Sequence, residues 1–202
     1  MRIFSNTSDG RKIIESKFLL NAYCSGMFPM ADGNDGGIHW FSPEFRGIIP
    51  LDGLRISRSL RRTLKKNIFE IRINSDFEAT IRNCAARDDV WISETIVQSY
   101  CELHRIGFAH SVECWSGSTM AGGLYGVAIG GAFFGESMFS TMTDASKVAL
   151  VHLVERLRVR GFVLLDTQYT NSHLATLGCR EIPKQEYLQR LHTALSLQCT
   201  FV

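Results

Sequence analysis

The sequence predicts an α+β fold, a mixed sheet flanked by helices, with a small N-terminal domain in front of it. Three observations carry that expectation. Residues 110–115, 119–129 and 132–140 read as consecutive strands, the last two meeting at Gly130-Gly131, a pair that tolerates the positive backbone angles of a tight hairpin. A long helical pattern follows, with Val148, Val151 and Val154 facing the sheet and Arg156, Arg158 and Arg160 in the closing turns, where cations complement the helix dipole. Directly after Gly161 comes a compact apolar segment, residues 162–165, which reads as a further strand. The expected division puts residues 1–53 in the small domain and 54–202 in the main one.

The chain has 202 residues and 45% hydrophobic content, ample for a core, and a formal net charge of +2 that by itself names no partner. Its six cysteines are scattered without a Cys-x-x-Cys pair and the first ten residues are polar, so free thiols in a reducing cytoplasm are expected. No run approaches the ~18 apolar residues of a membrane-spanning helix. The six histidines are dispersed without metal-ligand spacing, so no metal site is expected. No Walker loop and no Gly-x-Gly-x-x-Gly fingerprint opens a helix.

Taken in order, residues 1–10 are polar and expected to be loose. Ser16 starts a short amphipathic helix with Phe18, Leu19, Ala22 and Tyr23, which Gly26 stops. Residues 27–43 mix aromatic and turn residues without either regular period, which reads as an ordered loop module. Ser57 caps a helix anchored by Leu60 and Leu64. Alternation of Phe69, Ile71 and Ile73 with Glu70 and Arg72 gives a strand over residues 68–74. Ser75 with Glu78 makes a capping box for a helix that turns Phe77, Ile81 and Cys84 inward. After a polar turn at residues 87–89, Ser93 caps a helix whose Ile96, Tyr100 and Leu103 share a face and which ends at Gly107. Thr143 or Asp144 caps the long helix. A short helix at residues 173–177 stops at Gly178, and Pro183 suits the first turn of a last helix bearing Tyr187, Leu188, Leu191 and Leu195.

Four features carry chemistry. Glu136 is a lone carboxylate among Phe133, Phe134, Met138 and Phe139, a costly placement unless a partner or a cationic ligand compensates it. A structural carboxylate held by backbone amides accounts for it equally well. Arg58, Arg61, Arg62, Lys65 and Lys66 recur at i, i+3, i+4, i+7 and i+8, one basic stripe with no interleaved acid. That pattern suits a phosphate backbone, although such charge is usually a solvated face. Trp91, just before a helix start, fits a core tryptophan or one that stacks on a ligand. Asp166-Thr167-Gln168 delivers polar groups at a strand's C-terminal end, where α/β folds commonly put their chemistry.

The order of elements resembles the GNAT-type acyltransferase architecture. The residues themselves are more specific. Gly26-Met27-Phe28-Pro29, Trp40 with Ser42-Pro43 and Arg46, Trp91-Ile92, and His110-Ser111-Val112-Glu113 through Trp115 appear in order. They are followed by Gly122-Gly123-Leu124-Tyr125-Gly126, Gly135-Glu136-Ser137-Met138-Phe139-Ser140, Ala145-Ser146-Lys147, and Asp166 with Gln168. In these words the chain resembles the leucyl/phenylalanyl-tRNA–protein transferases. The resemblance implies transfer of leucine, also phenylalanine or methionine, from aminoacyl-tRNA to proteins beginning with arginine or lysine, marking them for N-degron degradation. It implies a GNAT-like catalytic domain that works without metal or acetyl-coenzyme A, and no feature of the chain demands more than a monomer. It also implies that Asp166 and Gln168 are a catalytic pair, that Glu136 is a carboxylate of the active pocket, and that Trp91 holds the terminal adenosine of tRNA. Met30 stands where the family has a second adenosine-stacking tryptophan. On this reading Asp166, alone or through Gln168, draws a proton from the acceptor's ammonium. Leu124, Phe133, Met138, Ser140, Leu150 and Leu153 form the aminoacyl pocket, and the basic stripe grips acceptor-stem phosphates. Two rivals have discriminating features. A non-catalytic RNA-binding protein would have no use for Glu136 or the Asp166/Gln168 strand end. A coenzyme-A-dependent N-acetyltransferase would want an Arg/Gln-x-x-Gly-x-Gly/Ala turn before its long helix, where this chain has Ser140-Thr141-Met142-Thr143-Asp144.

Overall fold

The structure is a computed structural model in which residues 3–6, 10–32, 37–86 and 91–202 are described. The chain runs β1 (Phe4–Asn6), β2 (Lys12–Ile14), α1 (Ser16–Cys24), β3 (Phe28–Ala31), β4 (Ile38–Phe41), β5 (Phe45–Ile48), α2 (Arg58–Lys66), β6 (Glu70–Ile73), α3 (Phe77–Ala85) and α4 (Glu94–Arg105). It continues through β7 (Ala109–Ser116), β8 (Thr119–Ile129), β9 (Ala132–Ser140), α5 (Ala145–Val159), β10 (Leu164–Gln168), α6 (Ser172–Thr176), β11 (Arg180–Pro183) and α7 (Lys184–Leu195).

The centre is a mixed seven-stranded sheet in the order β11-β5-β10-β9-β8-β7-β6. β6 to β9 form an antiparallel meander, and the expected hairpin turns at Gly130, whose φ of 55° is left-handed. β10 then returns parallel to β9 after α5. Two cores form because the strands alternate their side chains between the two faces. On one face Tyr125, Phe134 and Phe139 pack with α1, α3, α4 and α7, through Tyr23, Phe77, Tyr100 and Tyr187 among others. On the other, Val112, Leu124, Phe133 and Leu165 pack under α5, with Leu60 of α2 at the edge. The result is three layers, helices on both faces of one sheet.

Several expectations need correction. Residues 4–6, expected to be loose, pair with β2 as a two-stranded ribbon, and Ile14 donates its amide to Ser99 Oγ on α4 at 2.8 Å. The loop module holds a second two-stranded ribbon, β3 with β4, in which Phe28 faces Phe41 and stacks on it. β5, which falls within residues 1–53, is an interior strand of the main sheet, between β11 and β10. β11 was not foreseen either. The cap of α3 is Asp76, not Ser75, and accepts from the amide of Ala79; Glu78 pairs instead with Arg82 four residues on. Asp144 precedes α5 with φ 66° but gives it no side-chain cap, since its carboxylate takes the Thr63 hydroxyl and the Lys147 ammonium. Leu188 on α7 is exposed, while Tyr187 and Leu191 are buried. The turns expected at residues 33–36 and 87–89 lie outside the described residues. Ser57 and Ser93 cap α2 and α4 as expected. No described helix is long and apolar enough to cross a membrane.

Candidate active site

Glu136 sits on β9 with its side chain on the aromatic face, where three distant elements reach it. The Tyr23 hydroxyl of α1 donates to Oε1 at 2.7 Å, Gln168 Nε2 at the end of β10 donates to the same oxygen at 3.0 Å, and the Tyr100 hydroxyl of α4 donates to Oε2 at 3.2 Å. Tyr23 and Tyr100 also hydrogen-bond each other through their hydroxyls. Burial is the dominant influence on this acid and pushes its pKa up to about 7; the hydrogen bonds of Tyr23 and Gln168 pull it down, and the charge of Asp166 adds to the rise. Burial likewise holds both tyrosine hydroxyls well above their ordinary value, so they remain donors.

Gln168 has its orientation forced. Its φ of 64° lies in the left-handed region, at a bulge where the register of β10 against β5 shifts between Asp166 and Gln168. A residue other than glycine placed there costs about 1–3 kcal/mol and persists where surroundings over-determine it. The backbone amide of Gln168 donates to Asp166 Oδ1 at 2.8 Å, which fixes the turn. Across the strand pair, Gly47 of β5 leaves room for the bulge. A Cβ there would lie 2.7 Å from the carbonyl carbon of Tyr169 and 2.9 Å from Thr167 Oγ1.

Asp166 is completely buried beneath this turn, and donors fill its carboxylate. Arg46 Nε lies 2.9 and 3.1 Å from its two oxygens, Arg46 Nη2 lies 2.7 Å from Oδ2, and the Tyr187 hydroxyl donates to Oδ2 at 2.8 Å. Arg46 is itself only 1% exposed, its guanidinium 4.5 Å from the ring centroids of Phe28 and Tyr187, and it donates to the Gly26 carbonyl at 3.1 Å. Burial opposes its charge, but Asp166 beside it holds the pKa above the ordinary arginine value.

A cavity of about 250 Å³ opens beside Glu136. Leu124, Met138, Leu150, Leu153, Leu165 and Leu174 give it an apolar wall, and Trp91, Ser137, Thr167, Tyr169, Asn171 and His173 give it a polar rim. Glu136 is the one carboxylate among its lining residues. Among the described residues, the Tyr125 hydroxyl and His173 Nε2 are buried without a hydrogen-bond partner, and both residues line this cavity. Burial, and then Lys147, lowers the His173 pKa, which keeps the imidazole neutral at pH 7.

The three acid and amide residues singled out in the sequence therefore meet in one network, but they do not play interchangeable parts. Glu136 lines the cavity; Asp166 and Gln168 do not, and Gln168 reaches it only by its hydrogen bond to Glu136. Leu124, Met138, Leu150, Leu153 and Trp91 line the cavity. Phe133 and Ser140 do not. Phe133 is fully buried nearer the hairpin, its ring against Phe201 at 5.2 Å and over the Cα of Gly126. Ser140 is exposed, and its hydroxyl donates to the Met142 carbonyl at the turn into α5. Met30 is half-buried on β3, next to Ala31, whose amide donates to the Trp91 carbonyl at 3.0 Å. Arg58, Arg61, Arg62, Lys65 and Lys66 are all exposed on α2. The segment leading into α2 is tied to the end of α6 by the Arg55 amide, which donates to the Leu177 carbonyl at 2.9 Å. Sequence reasoning missed Arg46, Tyr23, Tyr100 and Tyr187 as members of the network, and Tyr169, Asn171 and His173 at the rim.

Known proteins resemble this chain along most of its length. The family model for leucyl/phenylalanyl-tRNA protein transferase matches residues 48–192, and the model for the N-terminal domain of the same family matches residues 14–44. A leucyl/phenylalanyl-tRNA–protein transferase of Maricaulis maris (strain MCS10) is 53% identical over 188 residues, 91% of this chain and 87% of that one. That of Gloeobacter violaceus (strain ATCC 29082 / PCC 7421) is 52% identical over 92% of this chain and 96% of its own length. A solved structure titled "The structure of L-PGS from Bacillus licheniformis" aligns with 84% of this chain and 69% of that chain at 14% identity and a TM-score of 0.43, too distant to inform the fold. Matched over most of its length by both family models and by close relatives, the chain belongs to the leucyl/phenylalanyl-tRNA–protein transferase family.

Proposed function

We propose that this protein transfers leucine, and also phenylalanine and methionine, from aminoacyl-tRNA to the N-terminal arginine or lysine of acceptor proteins, feeding N-degron degradation in the cytoplasm. Family membership supports aminoacyl transfer from tRNA to protein. The observation that carries the chemistry is the cavity: an apolar wall of leucines and Met138 with a single carboxylate, Glu136, whose pKa lies near neutrality. An apolar wall suits a branched or aromatic side chain. A carboxylate poised near pH 7 suits a proton acceptor.

The ester of aminoacyl-tRNA is already activated, so the enzyme has to hold and deprotonate the acceptor amine. Glu136, oriented by Gln168, takes one proton from the acceptor's α-ammonium. The neutral amine attacks the ester carbonyl, the C–N bond forms, and the bond to the ribose oxygen of tRNA breaks. That oxygen leaves with the second nitrogen proton, so the products are an amide, a free tRNA 3′ end and a protonated Glu136. Asp166 acts by fixing Gln168. Positioning of this kind supplies up to ~7 kcal/mol or more in favourable cases.

We further assign Trp91 to the terminal adenosine, with Met30 beside it, and the exposed stripe Arg58, Arg61, Arg62, Lys65 and Lys66 to acceptor-stem phosphates, which need charge and no base reading. The parallel β9–β10 pair joined by α5 supports a GNAT-like reading of the main domain. All six cysteines are free of disulfides, in keeping with a reducing compartment. The test is transfer of radiolabelled leucine from Leu-tRNA to an arginine-starting peptide. Activity that falls by about 100-fold or more in Gln168→Ala supports the reading; a wild-type protein that binds Leu-tRNA but transfers nothing contradicts it.

A further inference from the structure

The catalytic groups are held by a closed ring of contacts. Starting from Glu136, the ring passes to Gln168, from the Gln168 amide to Asp166, from Asp166 to Arg46, and from Arg46 Nη1 to the Gly26 carbonyl just beyond α1. It returns through α1 to Tyr23, whose hydroxyl donates to Glu136. Arg46 is the member that touches both arms. Its guanidinium has three nitrogens, and each is used: Nε and Nη2 on Asp166, Nη1 on Gly26. Phe28 and Tyr187 clamp its two faces, and the Tyr187 hydroxyl adds a further donor to the same carboxylate.

We infer that Arg46 and Tyr187 are positioning residues for aminoacyl transfer: by holding Asp166 they keep Gln168 in its left-handed turn and, through Gly26, keep Tyr23 against Glu136. The inference rests on the proposed role of Glu136 and Gln168. Three physical arguments support it. A fully buried, paired guanidinium is a poor way to gain stability alone, because desolvation offsets most of its Coulombic gain, so a wholly apolar pair would serve a merely structural purpose as well. A planar fork is the one side chain that satisfies two carboxylate oxygens and a carbonyl at once; an ammonium is a point charge that does not. Finally, the charge at this position also sets the field at Glu136. The titratable and charged groups that face Glu136 are Tyr23 from α1, Tyr100 from α4, Tyr125 from β8, Asp166 from β10 and, more distantly, Arg46 from β5. Of these, Asp166 favours the protonated acid and Arg46 compensates Asp166.

The experiment measures kcat, KM for Leu-tRNA and the pH profile of peptide transfer for wild type, Arg46→Lys, Arg46→Gln and Tyr187→Phe, with circular dichroism as the check of folding. Arg46→Lys keeps the charge and loses the fork: kcat falls about 100-fold, as expected of a misplacement near 1 Å, while KM for Leu-tRNA and the acid limb of the profile stay in place. Arg46→Gln loses the charge as well, and its acid limb moves to higher pH because Asp166 is left uncompensated. Tyr187→Phe removes one hydroxyl and no charge, and kcat falls about 3- to 10-fold, the worth of one hydrogen bond, at unchanged KM. A folded Arg46→Lys with wild-type kcat overturns the inference for Arg46, and should either arginine variant fail to fold, a wild-type kcat in Tyr187→Phe overturns the clamp. Absence of transfer by wild type would instead sink the proposed function, a separate outcome.

Discussion

Two buried glutamates on neighbouring parts of one sheet have opposite surroundings. Glu113 on β7 is fully buried and accepts from the Asp76 amide, the Ser111 hydroxyl at 2.8 Å and the Trp115 indole at 2.9 Å. Two of those donors lie two residues away on its own strand, and the third is the backbone at the start of α3. Glu113 finishes secondary structure. Glu136 on β9 is 8% exposed, and its donors are side chains from α1, α4 and β10. No local element needs those bonds. Glu136 also lines a cavity, whereas Glu113 is completely buried. Burial alone therefore does not mark a functional acid; donors gathered from remote elements and an adjoining void do.

The comparison breaks most sharply on paired substitutions. Glu136→Gln keeps the shape and loses the base, so transfer falls about 100- to 10,000-fold. The same change flattens the fall of stability between pH 5 and pH 8. The folded pKa of about 7 lies above the ordinary 4.5, so the contribution of protonated Glu136 is present below pH 4.5 and is lost as pH rises through 7. At about 1.36 kcal/mol per pH unit the loss is about 3 kcal/mol, which the variant escapes. Denaturant unfolding at pH 5 and pH 8 measures it, and a variant whose stability falls over that range as much as wild type's would contradict the assignment. Replacing Arg62, Lys65 and Lys66 by Ala weakens Leu-tRNA binding and lowers the slope of log affinity against log salt by about 2 to 3, roughly 0.7–0.9 per cation lost. A fluorescence titration at several salt concentrations reads this, with kcat unchanged at saturation. Widening the cavity by Met138→Ala shifts preference from leucine towards phenylalanine by about 10-fold, the worth of one methylene, in competition assays. Least affected in rate is Glu113→Gln: it costs about 1–3 kcal/mol of stability by upsetting three satisfied donors, and leaves kcat at the wild-type value.

Much of this was legible in the sequence, for physical reasons that also explain the rest. The meander β7–β9, α5 and the basic face of α2 announce themselves because each is long enough for a period of 2 or 3.6 to repeat. β1, β5 and β11 span three or four residues, too few for any period, and are strands only because a neighbouring strand pairs with them. Glu136 stood out as an acid in an apolar run, but its donors could not be read in advance. Tyr23, Tyr100 and Tyr187 occupy ordinary inward positions of amphipathic helices, and nothing local reveals that a hydroxyl meets a carboxylate 113, 36 or 21 residues away. Arg46 was visible as a word among other words. Its burial between Phe28 and Tyr187 depends on a β3–β4 ribbon whose turn chemistry read as a loop.

Direct titration of the Glu136 carboxyl by carbon-13 NMR, set against the single-turnover rate of leucyl transfer over the same pH range, bears on the central claim without intermediaries. The account predicts that the carboxyl ionises with a midpoint near 7 and that the rate rises with the same midpoint, a limb that Glu136→Gln abolishes. A carboxyl already ionised at pH 5, or a rate profile that Glu136→Gln leaves unchanged, would contradict it.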